Sequence, residues 1–347
     1  MENKQTEQSR LDLIKQIERE RQSAVICYIT GEGGGFKTQI GEDIIPILFR
    51  HLELIGKQDN IDLFLYTRGG DMVAPLKIVK LIRNYCKKFS VLVPYRSHSA
   101  GTLVTLGADE IVMHKMGELT PVDPTTAHPF NPRDPINPQN VIPISVEDIN
   151  SYLLLAKDKG KVKDDQMSEI YQNLTKHSYT DPKHLHPLAL GNVYRAQRMI
   201  RILAEKLLST HIDIEKGDNK KLTGKIIDEI TSDICVHNYP IYRDEAEKLG
   251  LKISIPDEKL EKMLWVLYES YAEEMQLDHP FNPRKILGQE ATKELKYGAA
   301  YIESKVGLDT FFFNINISKV SLLPVPGQPP SPGINVNVSG VAWEKIR

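Results

Sequence analysis

Short apolar runs and helically spaced stretches alternate along the first third of the chain. Residues 24–30 (Ala-Val-Ile-Cys-Tyr-Ile-Thr), 61–66 (Ile-Asp-Leu-Phe-Leu-Tyr) and 89–94 (Phe-Ser-Val-Leu-Val-Pro) are rich in β-branched and aromatic side chains. Such runs predict strands covered on both faces. Helix-like stretches follow them at Ile40 to Ile55, Met72 to Tyr85 and Ala100 to Ala108, and a further strand is expected at Glu110 to His114. This alternation predicts an α/β fold with a mainly parallel sheet. Ahead of it, Leu11, Leu13, Ile14 and Ile17 form a narrow stripe on an amphipathic helix over Ser9 to Gln22. Ser9 is the expected N-cap, with Asp12 completing a capping box.

The pattern changes twice further on. Proline and asparagine dominate Ala127 to Pro143, which predicts an exposed loop or lid. Charged helical stretches follow at 146–175 and Val193 to Leu208, and a short helix over Tyr242 to Leu249 closes the body. Beyond about residue 255 come a helix over Asp257 to Met275, a β-rich Thr310 to Leu323, a Pro-Gly linker and a strand at Ile334 to Val341. The reading is a body over 1–255 and a C-terminal α+β appendage over 256–347. His-Pro-Phe-Asn-Pro-Arg occurs at 128–133 and again at 279–284 without matching flanks. That is two similar turns, not a solenoid repeat.

Composition narrows the function classes. At 347 residues and 41% hydrophobic content, a full core is available. Lys plus Arg number 44 and Asp plus Glu 46, a net charge of −2 with no electrostatic footprint for nucleic acid. Three widely spaced cysteines, Cys27, Cys86 and Cys235, argue against a disulfide framework or a zinc cluster. The N-terminus is too polar for a signal peptide, and no apolar run approaches the roughly 18 residues of a membrane span. A cytoplasmic protein without metal or cofactor is expected.

Two consecutive strand-turn-helix units carry the candidate chemistry. Thr67-Arg-Gly-Gly-Asp71 ends one, and Arg96-Ser-His-Ser-Ala-Gly101 ends the next. A parallel sheet brings both turns to the same end. Acyl transfer needs a nucleophile at a helix start and N–H donors where an oxyanion forms. Gly31-Glu-Gly-Gly-Gly-Phe-Lys-Thr38 resembles a phosphate-binding loop, but Phe36 stands where a glycine is needed. A loop bordering the substrate cleft is the better reading. No Gly-x-Gly-x-x-Gly fingerprint follows any strand.

Thr67-Arg-Gly-Gly70, Ser97-His-Ser-Ala-Gly101, Leu106-Gly-Ala-Asp-Glu-Ile-Val-Met113, Glu118-Leu-Thr-Pro-Val-Asp-Pro124, His186-Pro-Leu-Ala-Leu-Gly-Asn-Val-Tyr-Arg195 and Ile241-Tyr-Arg-Asp-Glu-Ala-Glu-Lys-Leu-Gly-Leu251 resemble the serine dehydrogenase proteinase family. That family has the Clp protease/crotonase fold, a β-α superhelix, and is related to signal peptide peptidase A. The resemblance covers about residues 20 to 255. It implies a serine endopeptidase acting on peptides or unfolded proteins, with Ser99 as nucleophile and the Gly70 and Ala100 N–H groups as oxyanion hole. It also implies homo-oligomers.

The general base is less well marked. The segment Gly117 to Asp123, where the Clp protease has its histidine, contains none, and His114 lies slightly upstream of it. Signal peptide peptidase A uses a lysine, and the corresponding loop here offers Lys183, His184 and His186. Counting back from Ala246 to the place of the Clp triad acid reaches Asn238, beside His237. His186 and His237 are therefore the expected bases. A crotonase-like acyl-thioester enzyme and a catalytically silent binding or assembly module on the same fold are the rival readings. For self-association the sequence offers the mixed-charge helix from Ser145 to Leu174 and the Trp265/Tyr268/Tyr271 stripe.

Overall fold

The computed structural model describes residues 2–33, 35–176, 185–233, 238–321 and 332–347. In chain order they form α1 (Glu2–Arg21), β1 (Ala24–Thr30), α2 (Ile45–Ile55), β2 (Gln58–Tyr66), α3 (Ala74–Arg83), β3 (Cys86–Val93), the two-residue β4 (Arg96–Ser97), α4 (Ala100–Leu106), β5 (Glu110–Met113) and β6 (Glu118–Leu119). Then come β7 (Thr125–Thr126), β8 (Ile144–Ser145), α5 (Val146–Asp158), α6 (Met167–Thr175), α7 (Pro187–Leu208), α8 (Asp218–Asp228), β9 (Ile241–Tyr242) and α9 (Arg243–Leu249). The C-terminal part holds β10 (Ile253–Ser254), α10 (Glu258–Glu274), α11 (Pro283–Leu287), β11 (Thr292–Ser304), β12 (Gly307–Ser321) and β13 (Pro332–Lys345).

The chain divides into two compact units, one of residues 1–118 with 252–347 and the other of residues 119–251. An eight-stranded sheet spans the first, in the order β10-β5-β3-β2-β1-β11-β12-β13. Strands β1, β2, β3, β5 and β10 run parallel, joined by helical crossovers. The buried ends of β2 and β3 are continuous apolar runs, as strands covered on both faces require. The expected boundary near 255 falls inside this unit, because β11 pairs antiparallel with β1, Ile26 opposite Ser304 and Thr30 opposite Ala300. Residues from 256 onward thus extend the sheet of the body.

The core cluster of this unit also settles two expectations about helices. Ile14 and Ile17 of α1 pack with Leu264, Leu267, Tyr268 and Tyr271 of α10 over the sheet. Tyr268 and Tyr271 are buried, and the indole of Trp265 stacks on the His114 imidazole. The aromatic stripe is therefore core, covered within its own chain, and not a face for self-association. Helix α1 starts at Glu2, so Ser9 lies within the helix and is not its N-cap. Arg10, fully buried beside it, donates to Glu303 on β11 (3.0 Å) and to Glu274 at the end of α10. A buried arginine so paired ties the N-terminal helix to the C-terminal strand, and removing one partner of such a pair costs about 3–5 kcal/mol.

In the second unit, α5 is capped by Ser145, whose hydroxyl accepts from the Asp148 N–H. Asn131, in the first copy of the repeated hexapeptide, donates to the Thr126 and Ile142 carbonyls and closes the Pro-rich loop. Asn282, its counterpart in the first unit, caps α11 instead. The two hexapeptides are thus both turn-formers, used differently. Among the described residues no helix is long and apolar enough to cross a membrane.

Candidate active site

Strands β2 and β3 are parallel neighbours, so the turns leaving their C-terminal ends lie side by side. Two backbone hydrogen bonds continue the pairing past the strands: the Thr67 N–H donates to the Arg96 carbonyl (2.9 Å) and the His98 N–H to the Thr67 carbonyl (3.1 Å). On the other side Gly70 bridges to Ile40. The Ile40 N–H donates to the Gly69 carbonyl and the Asp71 N–H to the Ile40 carbonyl, both at 2.8 Å. In a parallel bridge of this kind the residue in the middle directs its own N–H away from the partner strand. The Gly70 N–H is therefore left out of that ladder. A Cβ on Gly70 would sit 2.3 Å from the Ile40 carbonyl oxygen, so only glycine fits.

Ser99 occupies the turn into α4 with φ 51° and ψ −109°. An L-residue is strained there by about 1–3 kcal/mol, and such strain persists only where the surroundings impose it. The side chain is half-buried, and its hydroxyl does not cap α4. That removes the simplest alternative role for a serine at a helix start. Ala100, the first residue of α4, contributes an N–H of the kind that has no intrahelical acceptor. Gly69, with φ 110°, closes the arrangement: a Cβ placed on it would lie 2.9 Å from Ser99 Cβ and 3.4 Å from Ser99 Oγ. The serine and the Gly69-Gly70 turn are thus in contact, as their sequence spacing predicts.

A charged collar anchors the strained turn. His98 Nε2 bonds Glu118 Oε1 (3.0 Å), which also accepts from Arg96 Nε (3.2 Å). Arg96 donates onward to Glu32 (2.6 Å), and Arg68 reaches the second oxygen of Glu32 at 2.8 Å. The Tyr66 hydroxyl donates to Glu32 as well (2.5 Å). Burial by itself raises the Glu32 carboxyl, but the Tyr66 hydrogen bond and the two guanidiniums outweigh it and hold Glu32 below the usual carboxylate range. Glu118 behaves alike: burial raises it, and His98 and Arg96 more than reverse that. Both carboxylates are ionised at neutral pH. They clamp Arg96 and His98, the residues on either side of Ser97, just before Ser99.

This collar had no distinct signal in the sequence reading. Arg96 and His98 stand two apart on an extended segment, which puts both side chains on one face. The positions of Glu32 and Glu118, far away in the chain, could not be paired with them from spacing alone. Phe36, which spoils the phosphate-loop reading, packs edge-on against Phe281 (4.8 Å) and near Tyr297 and Phe313. The ring is a core anchor for the loop that carries Glu32.

The remaining residues singled out by sequence fall as follows. His186 lies in the second unit as N-cap of α7, where Nδ1 accepts from the Leu188 N–H (3.1 Å) and the ring stacks on Phe130 (4.5 Å between centroids). With Nδ1 accepting, the neutral ring carries its proton on Nε2, so service as a base requires release of the cap. His237, Lys183 and His184 lie outside the described residues, as does Cys235. His114 accepts from the Met116 N–H through Nδ1, a structural role at the strand end. Among the described residues no cluster of three or more His, Cys, Asp or Glu is arranged to hold a metal ion.

Residues 1–189, more than half of the chain, match the family described as ClpP-like SDH-type serine proteinase. The matched span includes Gly70, Ser99, Ala100 and His186 and stops short of His237. Two uncharacterised proteins of Methanocaldococcus jannaschii are each 26% identical to it, over 268 and 273 residues. The alignments cover 74% and 77% of this chain, and 77% of each relative. Among solved structures, a serine-to-alanine mutant of the 1510-N membrane-bound stomatin-specific protease aligns over 70% of this chain and 85% of its own, at 16% identity and a TM-score of 0.36. ClpP1 from Listeria monocytogenes aligns over 67% of this chain and 94% of its own, at 13% identity and a TM-score of 0.32. The chain belongs to the ClpP-like SDH-type serine proteinases, with their α/β fold.

Proposed function

We propose that this protein is a serine endopeptidase whose nucleophile is Ser99 and whose substrates are peptides or unfolded proteins. Ser99 Oγ attacks the scissile carbonyl and loses its proton to a histidine, His186 or His237. The carbonyl oxygen becomes an oxyanion held by the Gly70 and Ala100 N–H groups. Collapse of the tetrahedral intermediate breaks the C–N bond; the histidine returns the proton to the leaving amine, and an acyl ester remains on Ser99. Water, deprotonated by the same histidine, then hydrolyses the ester and restores the serine.

One observation carries this reading: a non-glycine residue held at positive φ, only partly buried, against a double-glycine turn. The hydroxyl does not cap α4 and lies against the double-glycine turn, which supports the reading.

A fluorophosphonate probe, which esterifies an activated serine, tests the reading directly. The wild-type protein is expected to label and Ser99→Ala is not. Absence of labelling, or labelling that survives Ser99→Ala, overturns the assignment, and absence favours the silent module or the acyl-thioester enzyme.

A further inference from the structure

Strand β13 ends the eight-stranded sheet, and among the described residues no strand pairs with its outer edge. Natural edge strands this long are blunted by charge, proline or irregularity, because a free row of N–H and C=O groups templates pairing with another chain. Between its first and last two residues, β13 has neither charge nor proline: Gly333-Ile-Asn-Val-Asn-Val-Ser-Gly-Val-Ala-Trp343. Its charges, Glu344 and Lys345, sit together at the C-terminal end.

The register with β12 shows which residues share a face. Ile334, Val336, Val338, Val341 and Trp343 stand opposite Lys319, Ile317, Ile315, Phe313 and Phe311, the alternate residues of one side of β12. The step from even to odd numbers comes from a bulge, since Asn314 faces Gly340 and Ile315 faces Val338, leaving Ser339 as the extra residue. The apolar face begins inside the molecule, where Ile315, Ile317 and Tyr297 are buried against Phe36 and Leu287. It then runs out to the edge uncovered: Val336 is 37% exposed, Val338 42% and Val341 51%.

We propose that β13 pairs antiparallel with the β13 of a second copy of this chain, about a two-fold axis between Ser339 and Gly340. In that register Val338 lies opposite the partner's Val341, Val336 opposite the partner's Trp343, and Asn335 opposite the partner's Glu344. On one face the central pairs are apolar on apolar, while at the ladder's ends Ile334 meets the partner's Lys345; on the other face Asn337 meets the partner's Ala342 and Asn335 the partner's Glu344. In an unbroken strand this pairing would be out of phase, since i and j on one face must then sum to an even number. The bulge at the midpoint shifts the phase by one residue and makes the strand self-complementary. A slip of one residue sets valines against Ala342 and Glu344. Electrostatics selects the same orientation: parallel pairing would stack Glu344 on Glu344 and Lys345 on Lys345, whereas the two-fold puts like charges at opposite ends of the ladder. The contact is isologous and closes at two copies.

Light scattering at micromolar concentration is expected to give twice the 39.3 kDa of one chain. The double variant Val338→Lys/Val341→Lys, at exposed positions, is expected to run as a monomer with an unchanged circular dichroism spectrum. Ser339→Cys next to the axis is expected to form an intersubunit disulfide on mild oxidation, and Asn335→Cys, far from the axis, is not. The wild type serves as control for its own three cysteines. A wild-type monomer, an assembly that keeps its mass in the double variant, or cross-linking at Asn335 instead of Ser339 overturns the proposal. If the double variant fails to fold, the cysteine pair decides alone.

Discussion

Two serines in the first unit invite comparison. Ser304, at the end of β11, sits in a complete relay: His51 Nδ1 is 2.7 Å from its Oγ and His51 Nε2 is 2.9 Å from Asp309 Oδ2. All three residues are buried, Arg50 also bonds Asp309, and the Val306 N–H donates to Ser304 Oγ. Ser99 stands in the opposite situation. It is half-buried, sits at a strained φ and touches a double-glycine turn. The Ser–His–Asp list alone would choose Ser304. Partial access, backbone strain and the adjacent double-glycine turn support the proposal of Ser99. A relay whose three members are all buried and bonded to one another is a structural tie, here fastening the β11–β12 turn to α2. Reactivity needs a group that the fold holds away from its most comfortable state.

The sharpest way to break this contrast is hydrolysis of an unfolded protein substrate by two single variants. Ser99→Ala is expected to reduce turnover by about 10⁴-fold or more, the scale of nucleophile loss in serine peptidases. Ser304→Ala is expected to leave turnover unchanged while lowering stability by about 1–3 kcal/mol, since the His51 nitrogen loses its partner. Equal loss in both, tracking unfolding by circular dichroism, would make Ser99 structural as well.

The base comes next. Loss of a general base costs on the order of 10²- to 10⁴-fold. His186→Asn keeps an oxygen able to cap α7, so it separates the cap from the chemistry. Activity retained in His186→Asn and lost in His237→Ala assigns the base to His237, and the reverse assigns it to His186. If both remain active, Lys183 is the next residue to vary.

The comparison also shows what the sequence could carry. The alternation of apolar runs and helical stretches was enough for the parallel strands. Convergence of Gly69-Gly70 with Ser99 follows from two successive strand-turn-helix units, a local pattern. The pairing of β11 with β1 joins residues at opposite ends of the chain, and no periodicity within Thr292 to Ser304 records its distant partner. For the same reason the Tyr268 and Tyr271 stripe announced an apolar face without saying that α1 and the sheet cover it. The relay at Ser304 and the collar of Glu32, Arg96 and Glu118 were invisible on the same grounds: each assembles single residues from distant segments.

A smaller effect distinguishes strain from mere exposure. Ser99→Gly removes the nucleophile and also relieves the positive φ, which glycine adopts freely. It is expected to be inactive yet more stable than Ser99→Ala by about 1 kcal/mol, part of the strain being offset by the extra freedom of the unfolded chain. The melting temperature reads this difference. A glycine variant less stable than the alanine variant would mean that the strain is smaller than the entropy cost of glycine in the unfolded chain.

The smallest effect belongs to the relay and concerns pH. Burial drives the His51 pKa down, the hydrogen bond and charge of Asp309 push it back up, and Arg50 and Arg347 lower it again; the net direction is below the ordinary 6.5. The folded state therefore favours neutral imidazole, consistent with Nε2–H donating to Asp309 and Nδ1 accepting from Ser304. The unfolded chain binds a proton at about pH 6.5 while the folded chain does not, so unfolding takes up protons as the pH falls. This contribution to stability is fully present above the unfolded value and is lost progressively as pH drops below 6.5. Glu32 and Glu118, held below the usual carboxylate range, add their own loss only at lower pH, from the ordinary 4.5 downward. Denaturant titrations between pH 7.5 and 5 should thus show a decline that flattens in His51→Gln, which cannot take up the proton. A decline of the same slope in the variant would show that folding does not lower the His51 pKa, and a steeper one that His51 is charged in the folded protein and the relay an ion pair.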